Sequence, residues 1–399
     1  MKRLGALLAI IVPMVLFAAN GWLAASESEE PFPPAGVESE VALLADALDP
    51  TAMATGPPTS DPMHTSTPAP VPSVEAAEPT AVLPATPQPE QAEVVPELPG
   101  VATFEPNELG DILVLEYHAV GFPEARWRRT PVNLRQDLEY LLSQGYYPVN
   151  LADVVLGRLA HVPRGRRPIV LTFDDSSSGQ FRYLPDGTLD PNCAVGVIKS
   201  MYEDHGDAWP MRATFFVLMD SAEEPGYTLF GQPELAVQKL RQLVDWGMEV
   251  GSHTVRHTYL SMLSPAMVEW ELAVSQDRIE ALLPGYQVHS LALPFGDYPR
   301  DRSILAWGYS ELAEKYYGYG AAVRVQGGPA PSPYSPDFDP LFIPRVQAIQ
   351  SELSFWFSYY ERHPESYYVS AGGAGGGFLS GTSSDPLPAI LDDRGGVGD

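Results

Sequence analysis

Two groups of residues in this sequence have the types and spacing to do chemistry. The apolar run Ile169-Val170-Leu171-Thr172-Phe173 ends in two adjacent acids, Asp174 and Asp175. Further on, Gly251-Ser252-His253-Thr254-Val255-Arg256-His257 carries two histidines four apart. On a helical turn His253 and His257 would share one face, and with one carboxylate they can ligate a metal. A two-histidine, one-carboxylate set leaves positions open for water and substrate, so the chemistry suggested is metal-assisted hydrolysis. Taken singly, adjacent acids are commonly a solvated turn and paired histidines a helix surface. The combination is more specific, because each group stands at the exit of an apolar run that reads as a buried strand. A helical zinc protease would place Glu where Thr254 stands, and an iron oxygenase triad would place an acid where Val255 stands.

The elements that must position these groups alternate in type. Strands are expected at Ile112–His118, Ile169–Phe173, Ala213–Leu218, Met248–Gly251, Val288–Leu293, Ala321–Val325 and Phe342–Val346. Helices are expected at Asn133–Gln144, Ala194–His205, Pro233–Trp246, Pro265–Leu283, Arg302–Tyr316 and Ser351–Arg362. The first of these places Leu134, Leu138, Leu141 and Leu142 on one face and closes at Gly145. Ser176–Pro191, rich in Ser, Gly, Pro and Asp, interrupts the pattern as an insertion. Alternating strands and helices predict an α/β fold, a mainly parallel sheet or barrel with active groups at the carboxyl ends of the strands.

Composition narrows the reading. The chain has 399 residues and a net charge of −27, and residues 26–109 carry 15 Asp plus Glu with no Lys or Arg. That Pro-rich, acidic stretch cannot bury enough apolar surface to offset its ordering entropy and is expected to be a disordered linker. Residues 1–25 open with Lys2 and Arg3 and continue as a largely apolar run from Leu4. They are expected to be a signal peptide or an N-terminal membrane anchor through residues 4–25, which would place the protein outside the cytoplasm, secreted or tethered. A globular domain is expected over 110–362 and a Gly-rich acidic tail over 363–399. No stretch supplies the clustered Lys and Arg that backbone phosphates need, so no nucleic-acid partner is expected. The single cysteine, Cys193, excludes an intrachain disulfide and a Cys-rich zinc site, and is expected to be a small buried side chain.

In order along the chain, Leu115-Glu116-Tyr117-His118, Leu171-Thr172-Phe173-Asp174-Asp175, Ser252-His253-Thr254-Val255-Arg256-His257 and Leu293-Pro294-Phe295-Gly296 resemble the motifs of the polysaccharide deacetylases, carbohydrate esterase family 4, with the NodB homology domain. The Tyr-His first strand is similar to that of the branch that includes poly-N-acetylglucosamine deacetylases. The resemblance covers about residues 110–350. It implies an irregular (β/α) barrel, an acetylated glycan of the envelope as substrate, and a divalent cation, zinc above all.

It also implies Asp175, His253 and His257 as metal ligands, Asp174 as general base, and Pro294, Phe295 and Gly296 against the substrate. The chain departs from the family pattern in three places. Ser176 stands where the family usually has Gly, no Arg shortly precedes Pro294, and no late Leu-x-His motif is visible. Arg345, after Pro344, resembles an Arg in the branch that lacks the usual one, and His118 is the remaining histidine suited to line the site. The readings carried forward are a metal-dependent deacetylase, a non-catalytic glycan-binding domain, and an O-acetyl carbohydrate esterase.

Overall fold

A computed structural model describes residues 100–221 and 226–373. The expected signal or anchor, most of the linker and most of the tail lie outside the described residues. Among the described residues no helix is long and apolar enough to cross a membrane.

The chain opens with β1 (Leu113–Tyr117), followed by two short paired strands, β2 (Ala119–Val120) and β3 (Arg128–Arg129). Then come α1 (Pro131–Ser143), β4 (Tyr146–Val149), α2 (Leu151–Val155), β5 (Arg167–Phe173), α3 (Ala194–His205) and β6 (Thr214–Val217). After these follow α4 (Ala236–Asp245), β7 (Glu249–Ser252), α5 (Pro265–Leu282) and β8 (Ser290–Ala292). The antiparallel pair β9 (Trp307–Ser310) and β10 (Lys315–Gly318) precedes β11 (Ala321–Val323), β12 (Val346–Gln347) and α6 (Gln350–Arg362). Helix starts follow capping chemistry: Thr130 and Ser264 accept the backbone N–H three residues on, each ahead of a proline.

The main sheet runs β11-β8-β7-β6-β5-β1-β12, with β4 beside the first half of β5 where β6 pairs only with its end. Every ladder in it is parallel. Such strands are covered on both faces, which is why β5 is buried along its whole length and apolar apart from Arg167 and Thr172. Ile343 bridges to β11 and Val346 pairs with β1, so residues 343–347 span the sheet's two edges. The result is the expected α/β fold, a sheet of parallel strands curved into an irregular barrel with helices outside.

Two expectations need correction, and the insertion acquires a definite structure. The helix read over 302–316 is a single tight turn, Arg302–Leu305, followed by the β9–β10 hairpin. Its aromatics alternate across the hairpin, with Tyr317 buried and Trp307 and Tyr316 exposed, and the Tyr317 ring lies against Gly308 where a Cβ would stand. The packed unit is wider than 110–362: Phe104 lies under the Arg167 guanidinium, and the buried Tyr367 hydroxyl donates to Pro168 O and accepts from Leu113 N. Finally, the insertion over 176–191 is packed structure. Phe181 and Gln180 are buried, and the Lys239 ammonium, also buried, donates to the carbonyls of Phe181 and Phe230.

Candidate active site

The groups singled out from sequence meet at the carboxyl ends of the strands, around a cavity of about 530 Å³. His118 follows β1, Asp174 and Asp175 follow β5, and His253 and His257 follow β7. Phe295 and Gly296 follow β8, and Gln347 lies in β12. Pro294 is buried behind this wall at the start of its turn.

His253 and His257 do not sit on a helical turn. Both lie in an irregular loop with Thr254 and His257 in the left-handed region, φ 66° and 54°. The loop nevertheless turns both rings toward Asp175, with Nε2 of His253 at 3.2 Å and Nε2 of His257 at 3.5 Å from Oδ1. His253 Nδ1 lies 2.9 Å from Ala292 O, which fixes Nδ1 as the N–H donor and leaves Nε2 as a lone pair facing the carboxylate. Asp175 Oδ1 is buried and receives no hydrogen bond of acceptable geometry.

A buried carboxylate oxygen that receives no hydrogen bond and is faced by two imidazole nitrogens suits a cation. The donor set fits a divalent metal, with ligand atoms within 4.8 Å of one another. Burial would lower His253, but before a cation binds the carboxylates of Asp175 and Asp174 hold it above its ordinary range, so a proton competes with a metal for its Nε2. Burial alone would raise Asp175, but the imidazoles of His253, His118 and His257 overcome it and hold the carboxyl below its usual range. Burial, then His253, pushes His257 down to about 4, so it is neutral and able to ligate.

Asp174 is held from the other side. Buried Arg345 makes a two-pronged contact with it, Nη1 to Oδ1 at 2.8 Å and Nη2 to Oδ2 at 2.7 Å. The same Nη2 donates to Glu116 Oε1 at 2.7 Å, Nη1 donates to Thr172 Oγ1 at 3.0 Å, and Nε donates to Arg324 O. Burial would raise Asp174, and Arg345 more than offsets it, so the carboxyl is lowered. Glu116 is pushed up by burial against the pull of Arg345, and its Oε2 has no partner.

Sequence reading missed Glu116, Thr172 and Gln180. Gln180 Nε2 donates to the carbonyls of both Asp174 and His118, tying the tips of β1 and β5 together. Glu116 left a signal in the sequence, because an acid inside Leu113-Val114-Leu115-Glu116-Tyr117 is out of place in a buried strand unless something pairs with it. Gln180 left none.

Five of the seven described non-glycine residues with left-handed φ, Asp175, Ser176, Thr254, His257 and Phe295, lie in the loops that build this cavity. Such backbone is costly and persists where its surroundings enforce it. Phe295 stacks on Tyr259 with centroids 4.0 Å apart and meets the His257 ring edge-on at 4.5 Å. Ser176, at φ 52°, is buried; its Oγ accepts from Leu218 N at 3.1 Å and donates to Phe216 O. The hydroxyl thus ties down a turn that glycine would adopt freely.

Ser176→Ala should therefore cost about 1–3 kcal/mol, since Leu218 N–H is left buried and unpaired. Ser176→Gly should cost about 1 kcal/mol less, because the strain goes with the side chain. Urea unfolding of the two variants would show this, and equal losses would mean that the positive φ carries no strain.

Of the remaining residues read from sequence, Cys193 is buried at the start of α3, where its sulfur accepts from Gly196 N.

Comparison with known proteins bears on the same segment. A sequence model of the family described as "Polysaccharide deacetylase" matches residues 161–310. A chitooligosaccharide deacetylase of Bradyrhizobium sp. (strain ANU 289) is 28% identical over 137 residues, 34% of this chain and 50% of its own length. The chain thus spans about half the length of that curated relative. Among solved structures, the Streptococcus pyogenes deacetylase PplD in complex with acetate is similar at 21% identity, covering 63% of this chain and 98% of its own, with a TM-score of 0.46. IcaB from Ammonifex degensii is similar at 20% identity, covering 63% and 97%, with a TM-score of 0.46. Residues 161–310 thus match the polysaccharide deacetylase family model, and the acid, histidine and Pro-Phe-Gly stretches of that segment meet around one cavity.

Proposed function

We propose that this protein is a metal-dependent hydrolase that removes N-acetyl groups from an extracytoplasmic or envelope polysaccharide, through a catalytic domain spanning about residues 101–371. The observation that carries the proposal is the orphaned Asp175 Oδ1, faced by two imidazole nitrogens, directly beside a second carboxylate clamped by Arg345. Asp175, His253 and His257 would hold the ion, zinc by preference given two imidazoles and one carboxylate. When bound, such an ion supplies positive charge that polarises a carbonyl and acidifies water.

The protein's own groups do the rest. Asp174 stays ionised beside Arg345 and takes the proton of the attacking water on a carboxylate oxygen. Arg345 fixes the plane of that carboxylate and keeps its charge in place. His118, which lines the cavity beside Asp174 and is held below its ordinary range by burial, relays the proton that Asp174 has taken from the water to the departing amine nitrogen. The Phe295 ring and the Gly296 backbone form the apolar side against which the sugar lies. Residues 1–25 would direct the chain out of the cytoplasm, cleaved or retained as a tether.

The absent Arg before Pro294 favoured a binding-only domain, and Arg345 on Asp174 supplies the missing partner. The test is acetate release from acetylated oligosaccharides. Chelation should reduce it to background, and added zinc should restore it at one ion per chain by metal analysis. Turnover that survives a chelator with no metal bound would end this reading. Stoichiometric metal with glycan binding but no acetate release would favour the binding-only domain.

A further inference from the structure

The cavity wall carries two cations that deacetylation does not use. Arg126, from the arm between β2 and β3, and Arg324, just past β11, both line it. Some arginines are matched to acids, among them Arg345, the other guanidinium of the site, to Glu116 and Asp174, while others such as Arg166 are spent on backbone carbonyls. Arg126 and Arg324 have no acid partner among the described residues, in a chain whose net charge is −27. Aromatic faces hold them instead. The Arg126 guanidinium carbon lies 4.9 Å from the Trp127 ring centre, and that of Arg324 lies 4.3 Å from the Phe342 ring centre.

Stacking of this kind fixes the guanidinium but leaves its in-plane N–H donors free for a ligand, whereas an ion pair would occupy them. Asp174 is matched by Arg345, and Asp175 would be matched by the ion it holds with the histidines, so the charge left over on this wall is that of Arg126 and Arg324. Gln326 and Gln347 add neutral polar groups. A volume of about 530 Å³ leaves room for more than the acetamido group.

We propose that Arg126 and Arg324 select an acetylated glycan bearing an anionic substituent, a carboxylate or a phosphate, which their free guanidinium edges bind as the acetyl group reaches Asp174 and Asp175. The proposal takes the glycan from the deacetylase reading, but the preference for charge exists with or without turnover.

Equilibrium binding and acetate release would be measured side by side on the zinc-loaded full chain. The probes are a tetrasaccharide of alternating N-acetylglucosamine and N-acetylmuramic acid, its methyl ester, chitotetraose and its 6-phosphate. One charge-assisted, two-pronged contact predicts about tenfold tighter binding of the free acid than of the methyl ester, weakening as salt is raised. In the R126Q/R324Q double variant that ratio should fall to near one, and R126K/R324K should restore part of it.

The phosphate arm decides between the two anions: preference for the phosphorylated probe alone assigns phosphate, and preference for the free acid alone assigns carboxylate. Equal wild-type binding of every charged and uncharged pair would overturn the proposal. A preference that persists in R126Q/R324Q would overturn the assignment to these two residues. Charge preference without acetate release would uphold this inference while refuting the deacetylase reading.

Discussion

Asp174→Asn should lower kcat by about two to four orders of magnitude, the usual range for loss of a positioned general base. It should leave metal content and the thermal midpoint close to those of the unsubstituted protein. The metal expectation follows from Asp175, His253 and His257, none of which is touched. The stability expectation follows from Arg345, which keeps Glu116 as a carboxylate partner at 2.7 Å when Asp174 loses its charge. Acetate release, metal analysis and a melting curve on one preparation would check all three. A variant that binds metal fully and retains kcat within tenfold would show that another group takes the proton.

Arg345→Met should destabilise the fold by about 3–5 kcal/mol at pH 8, because removing one partner of a buried ion pair leaves the other charge uncompensated. Two carboxylates are stranded here, Asp174 and Glu116, in a site where Arg345 is completely buried. In the unsubstituted protein Asp174 titrates below its ordinary range. Its contribution is therefore present above the unfolded carboxyl value and fades as pH falls through the lowered folded one. In Arg345→Met the sign reverses. The stranded acids bind protons more tightly folded than unfolded, so the variant loses stability as pH rises from about 4.

The gap between the two proteins should accordingly narrow from pH 8 to pH 5 in urea titrations. A gap under 1 kcal/mol at pH 8, or one that widens toward acid, would mean that the network is solvated. Glu116→Gln should be close to neutral by comparison. It removes the surplus negative charge from a cluster of two acids and one guanidinium, while its amide oxygen still accepts from Nη2.

The barrel was legible because parallel strands buried on both faces leave near-continuous apolar runs, and β5 shows this most clearly. The acid and histidine groups were legible for a related reason: a polar pair directly after such a run has to face an opening. The local geometry of His253 and His257 was not, since i, i+4 spacing suggests a helix and the loop reaches convergence through left-handed residues instead. The segment 302–318 misled because its apolar residues satisfy a helical period as well as an alternating one, and only the close approach of Tyr317 to Gly308 separates them. Gln180 and the pairing of Glu116 with Arg345 depend on contacts between residues 171 or more positions apart or on loop folding, which no local pattern encodes.

Arg345 reaches Asp174 and Glu116 across 171 and 229 positions of chain. During synthesis from the N-terminus, the three residues proposed to hold the metal and the acid beside them are all complete well before Arg345 emerges. The site is thus assembled without its clamp first and armed last, by the docking of β12 against β1. A protein truncated before residue 345, or nicked between β11 and β12, would keep the three ligand residues and lose the group that holds Asp174 ionised. Damage to this late strand would disarm the site without emptying it.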